Sequence, residues 1–165
     1  KDHSARQLKD SQAFLKVYSA PGHTLDHVIF VLTENNKDID LFSGDTVFNA
    51  GVGNCKGGGD VGLLYETIQQ IKKLPPHLTL YPGHDYIENN MAFASRFLEQ
   101  NEDFKRYESA KSETKTLGEE FQVNPFFLTS NVQFRQMMIS LNNDLQENSS
   151  DKEFFKKLRK LRDQW

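Results

Sequence analysis

The chain has 165 residues, of which 37% are hydrophobic, with 13 Phe and a formal net charge of −3 at pH 7. This length suits one domain with its own core, or one domain and a small appendage. The negative charge disfavours broad nucleic-acid binding, and no apolar run reaches the length of a membrane span. The single cysteine, Cys55, excludes an internal disulfide framework and a cysteine-based zinc site. We therefore expect a soluble, globular protein of a reducing compartment, the cytoplasm.

The N-terminal part of the chain has the pattern of consecutive strands. Residues 1–11 are polar and predict a loop or a frayed end, and Ala13–Ser19 then predicts a strand. The run His27–Leu32 is almost unbroken in β-branched and aromatic residues, which is typical of a strand buried on both faces. After a polar turn at residues 34–38, Ile39–Phe42 predicts a further short strand.

A glycine-rich segment and two helical patterns follow. Residues 49–62 predict a long loop, and its length indicates a functional role. Two segments with helical periodicity are separated by a short predicted strand, Leu78–Tyr81. The first of these helices is expected to end before Pro75. The apolar residues that define the two helices are Leu64, Ile68 and Ile71, and then Ile87, Met91, Ala94 and Leu98.

After about residue 100, charged helical stretches replace the strands. The last predicted helix opens with a capping box formed by Ser150 and Glu153. The sequence therefore predicts an α/β domain over residues 1–100 and a small all-α domain over residues 101–165. The apolar residues that mark helices in the second part are Phe134, Met138 and Leu141, and then Phe154, Leu158 and Leu161.

Three short segments, each after a predicted strand, place a metal-binding side chain directly after a glycine. They are Pro21-Gly22-His23-Thr24, Ser43-Gly44-Asp45-Thr46 and Pro82-Gly83-His84-Asp85. Glycine lets the backbone turn sharply, so we expect His23, Asp45 and His84 to meet at one edge of a sheet. Imidazole and carboxylate suit zinc, iron or manganese, and a carboxylate can bridge two ions. One such turn alone would more often be an ordinary loop, but three of the same build predict a metal site.

Longer motifs surround these turns. They are Phe42-Ser-Gly-Asp45-Thr-Val-Phe48-Asn-Ala-Gly51, Leu74-Pro-Pro, Tyr81-Pro-Gly-His84-Asp-Tyr86-Ile-Glu-Asn-Asn90, Glu119-Glu-Phe-Gln-Val-Asn124-Pro-Phe126 and Arg162-Asp-Gln-Trp165. With them, the chain resembles the second half of the metallo-β-lactamase αββα fold, and most closely the glyoxalase II (hydroxyacylglutathione hydrolase) family. This resemblance implies that residues 1–100 are the C-terminal half of the metallo-β-lactamase-like domain and that residues 101–165 are the helical substrate-binding domain of that family.

The resemblance implies hydrolysis of glutathione thioesters, S-D-lactoylglutathione to D-lactate and glutathione, as in methylglyoxal detoxification. It also implies a binuclear site with two divalent ions, Zn foremost and Fe or Mn as alternatives. In this site His23 ligates the first ion, His84 ligates the second, and Asp45 bridges the two as the catalytic carboxylate. Such a pair of ions can hold a shared hydroxide at neutral pH and polarise the carbonyl beside it.

The resemblance further implies the residues that bind the substrate. Arg159 and Arg162 stand where the family has basic residues that bind the glycyl carboxylate of glutathione, a role that suits the bidentate guanidinium. Tyr86 matches a tyrosine that contacts glutathione. In the glycine-rich loop, Asn54 and Lys56 stand where the family has a lysine and a tyrosine, and Lys56 is expected to reach the same carboxylate. This exchange leaves open whether glutathione is the native thiol.

Three other residues with reactive side chains are assigned lesser roles. His27 is expected to lie in a strand, where it packs or hydrogen-bonds to a metal ligand. Cys55 is expected to be an exposed thiol that takes no part in catalysis. His3, near the terminus, is expected to be solvated.

The chain has no counterpart of the upstream His-x-His-x-Asp-His motif that supplies the remaining ligands in this family. It therefore resembles a fragment that enters the fold halfway and is inactive alone, with the N-terminal half of the same fold as its missing partner. Two alternatives stay open. One is a persulfide dioxygenase of the same fold with one iron, which the Asn124-Pro125-Phe126 segment and the basic final helix disfavour. The other is an inactive half-fold interaction subunit with an exposed apolar sheet.

Overall fold

A computed structural model describes residues 4–8, 12–110, 114–142 and 144–165, so His3 lies outside the described residues. Six strands form one mixed sheet in the order β1-β2-β3-β4-β7-β8, and β5 pairs with β6 in a separate hairpin. Among the described residues, no helix is long and apolar enough to cross a membrane. The elements are β1 (Ser4–Gln7), β2 (Ala13–Ser19), β3 (Val28–Glu34), β4 (Lys37–Gly44), β5 (Val47–Phe48), β6 (Gly51–Val52), α1 (Val61–Ile71), β7 (Thr79–Pro82), α2 (Ile87–Leu98), α3 (Glu102–Ser109), β8 (Lys115–Thr116), α4 (Leu117–Val123), α5 (Val132–Leu141) and α6 (Asp151–Asp163).

The strand directions bring three turns of the chain to one edge of the sheet. β2, β3 and β4 pair antiparallel in succession, so β2 and β4 run in the same direction, and β7 pairs with β4 in parallel. The C-terminal ends of β2, β4 and β7 therefore lie at the same edge. The chain reaches His23, Asp45 and His84 just after these three ends. The predicted convergence of the three turns follows from this topology.

One face of the sheet carries the hydrophobic core. Along β3, the side chains of Ile29, Val31 and Thr33 are buried. The core joins this face to α1, which also packs against α6. The fully buried large side chains of the core include Leu64, Ile68, Phe93, Phe104, Phe126, Phe154 and Phe155. The predicted periodicity of the helices is confirmed for all the defining residues except Leu141, which is 52% exposed at the end of α5; the others lie in this core or pack against it.

The opposite face of the sheet is apolar but open to solvent. The strand registers place Phe30 beside Phe42, and Phe42 beside Tyr81, whose ring stacks on Phe42 at 5.2 Å. Phe42 is 38% exposed, Tyr81 39% and Val28 38%. The expectation that His27–Leu32 is buried on both faces is therefore wrong for this structure, because one face of the strand contacts solvent.

Three short pairings depart from the sequence-based expectations. β1 lies where a loop or frayed end was expected and pairs with β2. β6 lies at the start of the glycine-rich segment and pairs with β5. β8 lies in the part expected to be all-α and pairs with β7. Strands of two to four residues are too short to produce a periodic pattern, so only their partners define them. The domain boundary near residue 100 stays a prediction.

A buried carboxylate fastens α4 to the turn between β5 and β6. Glu120 accepts hydrogen bonds from the hydroxyl of Tyr107 at 2.5 Å, the backbone N–H of Ala50 at 2.9 Å, and the amides of Asn124 at 3.0 Å and Asn49 at 3.3 Å. Ala50 lies at the turn with a φ of 54°, a left-handed conformation that few residues adopt without support. Burial raises the pKa of Glu120, while these donors act in the opposite direction.

Replacing Glu120 with alanine would leave two buried donors without an acceptor among the described residues, the backbone N–H of Ala50 and the hydroxyl of Tyr107. Because each unsatisfied buried donor costs about 1–3 kcal/mol, we expect Glu120→Ala to lower the free energy of unfolding by roughly 4 kcal/mol, measured by urea denaturation at pH 7. The neighbouring Glu119 only completes the capping box of α4 with Thr116. The control Glu119→Ala should therefore cost about 1 kcal/mol. Equal losses in the two variants would contradict this account of the buried carboxylate.

Candidate metal centre and substrate pocket

The structure brings the three predicted metal ligands together. Asp45 lies between the two imidazoles, with Oδ2 at 3.3 Å from Nε2 of His23 and Oδ1 at 3.4 Å from Nε2 of His84. Each imidazole therefore faces a different oxygen of one carboxylate. The side chains of His23 and Asp45 are 22% and 25% exposed, whereas that of His84 is 55% exposed. The site is consequently open to solvent on the His84 side.

The spacing of these atoms fits ligands that share a cation. Two ligand atoms that each lie about 2.1 Å from one tetrahedral zinc ion are roughly 3.4 Å apart, close to the two observed N···O distances. A deprotonated imidazole nitrogen and a carboxylate oxygen are both acceptors, so they repel each other unless a proton or a cation lies between them. The donor set therefore fits one cation on each side of Asp45.

These three side chains do not complete a metal site on their own. Within the described parts of the chain, no group of three or more His, Cys, Asp or Glu side chains is arranged to hold an ion. Each side of Asp45 offers one nitrogen and one oxygen, whereas a catalytic zinc ion has three protein ligands. The distances support pairs of ligands that need further donors. The assignment of His23, Asp45 and His84 as ligands stays a prediction.

Backbone contacts orient two of the histidines. Nδ1 of His23 lies 2.7 Å from the carbonyl oxygen of Asn54. A carbonyl can only accept, so Nδ1 donates and Nε2 is left to face Asp45. Metal-binding histidines are commonly fixed in this way by a hydrogen bond from the other ring nitrogen. Nε2 of His27 accepts a hydrogen bond from the backbone N–H of Asp45 at 3.2 Å, and His27 lies just before β3 rather than in a strand as expected.

The turn at Gly44 is required for this arrangement. Gly44 has a φ of 51°, a left-handed conformation that glycine adopts without steric cost. A Cβ atom at this position would lie 2.8 Å from Nε2 of His27. Glycine therefore allows β4 to end against the His27 ring and to direct Asp45 towards the two imidazoles.

A pocket of about 320 Å³ lies next to this centre. Tyr86 joins the two, because its ring stacks on His84 at a centroid distance of 5.3 Å and contacts Phe48 at 5.1 Å. Trp165, the single tryptophan of the chain, also lines the pocket. The structure brings all five predicted substrate-binding residues to this pocket: Asn54, Lys56, Tyr86, Arg159 and Arg162. Their contact with a substrate stays a prediction.

The guanidinium of Arg159 is turned towards the protein. Arg159 is 4% exposed, and its Nη1 donates to the carbonyl oxygens of Val52 at 2.9 Å and Gly53 at 3.2 Å. Its Nη2 pairs with Asp163 at 3.0 Å, and its Nε is buried without a hydrogen-bond partner among the described residues. Burial lowers the pKa of this guanidinium, and Asp163 acts in the opposite direction. In this arrangement the backbone and Asp163 occupy Nη1 and Nη2, and the Nε that has no partner is buried.

Arg162 and Lys56 are the other cationic residues that line the pocket. Arg162 is half-buried, and its Nη2 donates to Oδ1 of Asn90 at 3.3 Å. Lys56 has an exposed side chain. Its backbone N–H donates to Oδ1 of Asn54 at 3.0 Å, so the Asn54 side chain serves a local turn. These two cationic side chains are the better placed to receive an anionic ligand.

Asn90 is a site residue that the sequence analysis did not single out. It is 4% exposed, and its Nδ2 donates to the carbonyl oxygen of Asn49 at 2.9 Å. This bond fixes the direction of the amide and leaves Oδ1 to accept from Arg162. Asn90 lies in a motif quoted above, but a buried asparagine on a helix has no periodic signal that would mark it.

The expectation that Cys55 is exposed is wrong. Its side chain is half-buried and packs against the hydrophobic core. Burial raises the pKa of the Cys55 thiol to about 11. At neutral pH the side chain is therefore a thiol rather than a thiolate, which agrees with the expectation that it is not a nucleophile.

The comparisons with known proteins agree with the resemblance. Residues 85–165 match the family described as "Hydroxyacylglutathione hydrolase C-terminus". Relatives named hydroxyacylglutathione hydrolase from Polaromonas sp. (strain JS666) and Nitrosococcus oceani are each 38% identical over 159 residues. The alignment covers 92% of this chain and 60% of each relative, so the chain spans about 60% of the length of these proteins.

Solved structures show the fold. A metallo-beta-lactamase from Staphylococcus aureus superposes with a TM-score of 0.57 at 23% identity, over 98% of this chain and 42% of that one. ETHE1 from Myxococcus xanthus gives 0.52 at 22% identity, over 96% of this chain and 56% of that one. The fold is therefore the C-terminal part of the metallo-β-lactamase fold. In sequence the chain is similar to the hydroxyacylglutathione hydrolases, and its second half matches the C-terminal family model of those proteins.

Proposed function

We propose that this chain serves the hydrolysis of glutathione thioesters, S-D-lactoylglutathione to D-lactate and glutathione, at a binuclear metal centre built on His23, Asp45 and His84. One observation carries the proposal: a single carboxylate presents a different oxygen to each of two imidazole nitrogens, beside a pocket with cationic walls. The names of the relatives support the substrate class.

The residues at the centre each have a distinct task. His23 presents Nε2 because its Nδ1 donates to the carbonyl of Asn54, and Asp45 is held by the bond from its N–H to His27. When bound, two divalent ions, Zn²⁺ foremost and iron or manganese as alternatives, supply an activated water and polarise the thioester carbonyl. A thiolate leaves readily, so no separate general acid is required of the chain.

The pocket suits the anionic end of a glutathione conjugate. Arg162 and Lys56 offer charge-assisted hydrogen bonds to a carboxylate, and Asn90 holds the guanidinium of Arg162 in place. The ring of Tyr86 lies between this anion site and His84. A ligand bound to Arg162 and Lys56 would therefore extend along the Tyr86 ring towards the metal centre. This arrangement directs the thioester group of the ligand to the ions.

The proposed activity also requires a second polypeptide segment that packs on the open face of the sheet. Each ion position lacks donors, and the apolar side chains of Phe30, Phe42 and Tyr81 form a continuous face across β3, β4 and β7. An N-terminal half of the same fold would meet both needs, and without it we expect no hydrolase activity from the chain. The reaction suits the cytoplasm, where glutathione and Cys55 stay reduced.

The activity is tested by adding the part of the Polaromonas relative that precedes the aligned region, as a fusion to the N-terminus of this chain. Zinc-loaded fusion protein should hydrolyse S-D-lactoylglutathione, chelation should abolish the reaction, and the chain alone should be inactive. Asp45→Asn should lower kcat about 100-fold or more, the scale on which a preorganised charged group contributes.

The matched control is Asp26→Asn, which changes an exposed aspartate of the His23 loop whose carboxylate accepts from Thr24. It should leave kcat and KM unchanged. Full activity in Asp45→Asn, or no activity in a zinc-loaded and folded fusion, would contradict the proposal. Oxygen consumption with glutathione persulfide in place of thioester hydrolysis would favour the dioxygenase alternative.

The cationic wall of the pocket makes a separate prediction about substrate affinity. Because a hydrogen bond to a charged group is worth about 1.5–3 kcal/mol, Arg162→Ala or Lys56→Ala in the fusion protein should raise KM for a glutathione thioester roughly 10- to 100-fold with little change in kcat. Lys160→Ala, an exposed lysine on the same helix as Arg162, should leave KM unchanged. An unchanged KM in either test variant would remove that residue from the binding site.

A further inference from the structure

We propose that Arg159 is a positioning residue of the metal centre: it holds the segment Val52–Asn54, and this segment fixes the imidazole of His23. The consequence for metal binding rests on the proposed function. The first readout, the state of the His23 ring, requires neither substrate nor metal.

The hydrogen bonds from Arg159 to the segment Val52–Asn54 are buried and specific. Nη1 meets two successive carbonyl oxygens, those of Val52 and Gly53, which are more than a hundred residues away in the chain. Asp163 holds Nη2, and the guanidinium carbon lies 5.4 Å from the centroid of the Phe126 ring. A planar guanidinium directs its donors in a fixed geometry towards this pair of acceptors, and a lysine ammonium does not reproduce that geometry.

The segment Val52–Asn54 lies directly against two of the proposed ligands, His23 and Asp45. The carbonyl oxygen of Asn54 accepts from Nδ1 of His23 at 2.7 Å, and the backbone N–H of Gly53 donates to Thr46 at 3.3 Å. A Cβ atom at Gly53 would lie 1.9 Å from the carbonyl oxygen of Asp45 and 3.1 Å from Nδ1 of His23. Because no space separates the segment from these residues, a shift of the segment must move the acceptor that orients His23.

The comparison with Arg162 separates positioning from binding. The two arginines are three residues apart on α6 and line the same pocket. Arg159 directs its Nη donors to the protein backbone and Asp163, whereas Arg162 is half-buried and bonds to Asn90 alone among the described residues. Helix α6 therefore has two functions: one arginine faces the ligand, and the other secures the loop that holds His23.

The test compares Arg159→Met with Arg162→Met in the full chain. Histidine-ring ¹H–¹⁵N spectra of the metal-free wild-type protein should show His23 with its proton on Nδ1 and slow exchange of that proton with solvent. In Arg159→Met this resonance should be lost to rapid exchange or to a mixture of tautomers. The zinc affinity of the fusion protein that carries this substitution, measured by chelator competition, should fall roughly tenfold or more. Arg162→Met should leave both readouts at the wild-type value and should raise only the KM of the fusion protein.

Two further variants separate positioning from a general loss of stability. Asp163→Asn removes the ion pair of Arg159 but keeps its bonds to Val52 and Gly53, so it should be destabilised and still retain the His23 resonance. Arg159→Lys keeps the buried charge and loses the two-carbonyl contact, so it should lose the resonance. If Arg159→Met does not fold, Arg159→Lys serves as the test of whether Arg159 positions the His23 ring.

The proposal is overturned if folded Arg159→Met or Arg159→Lys keeps both the slowly exchanging Nδ1 proton of His23 and the wild-type zinc affinity. Loss of the His23 resonance in Asp163→Asn would also overturn it, because the effect would then follow stability. A response of the His23 ring to Arg159 substitution, in a protein that hydrolyses no thioester when complemented, would retain the positioning role and reject the proposed function.

Discussion

A carboxylate held within 3.4 Å of two imidazole nitrogens requires a proton or a cation between it and each ring, and the rest of the structure is arranged around that requirement. Three strands that run in the same direction end at one edge of the sheet, and each is followed by one of the three side chains. Gly44 permits the turn that directs Asp45 between the rings, and His27 holds the backbone of that residue. A site of this kind costs stability when empty, so its geometry must be imposed from outside it.

The C-terminal helices impose much of that geometry. Glu120 of α4 holds the turn at Ala50, and Arg159 of α6 holds the carbonyls of Val52 and Gly53. Both contacts grip the small β5–β6 hairpin, which leads directly into the segment that orients His23. The helical part of the chain is therefore joined to the proposed metal centre by buried polar bonds, and it also supplies one wall of the pocket. Substitutions in the C-terminal helices are therefore expected to affect metal binding at some residues and substrate binding at others.

Features with a local or periodic signal could be predicted from the sequence, and those that depend on distant partners could not. The glycine before each of His23, Asp45 and His84 predicts a turn at the end of a strand. The periodicity of α6 and its capping box predict that helix. β8 has two residues and exists only through its pairing with β7. The direction of the Arg159 guanidinium and the burial of Cys55 depend on residues distant in the chain, so composition near them gives no indication.

The most direct test of the central claim is an anomalous-difference map from crystals of the zinc-loaded fusion protein, in which the N-terminal part of the relative is joined to this chain. Two peaks are predicted, one on each side of the Asp45 carboxylate: the first at Nε2 of His23 beside Oδ2, and the second at Nε2 of His84 beside Oδ1. A single peak bound to only one imidazole, or peaks that leave the Asp45 oxygens uncoordinated, would contradict the account.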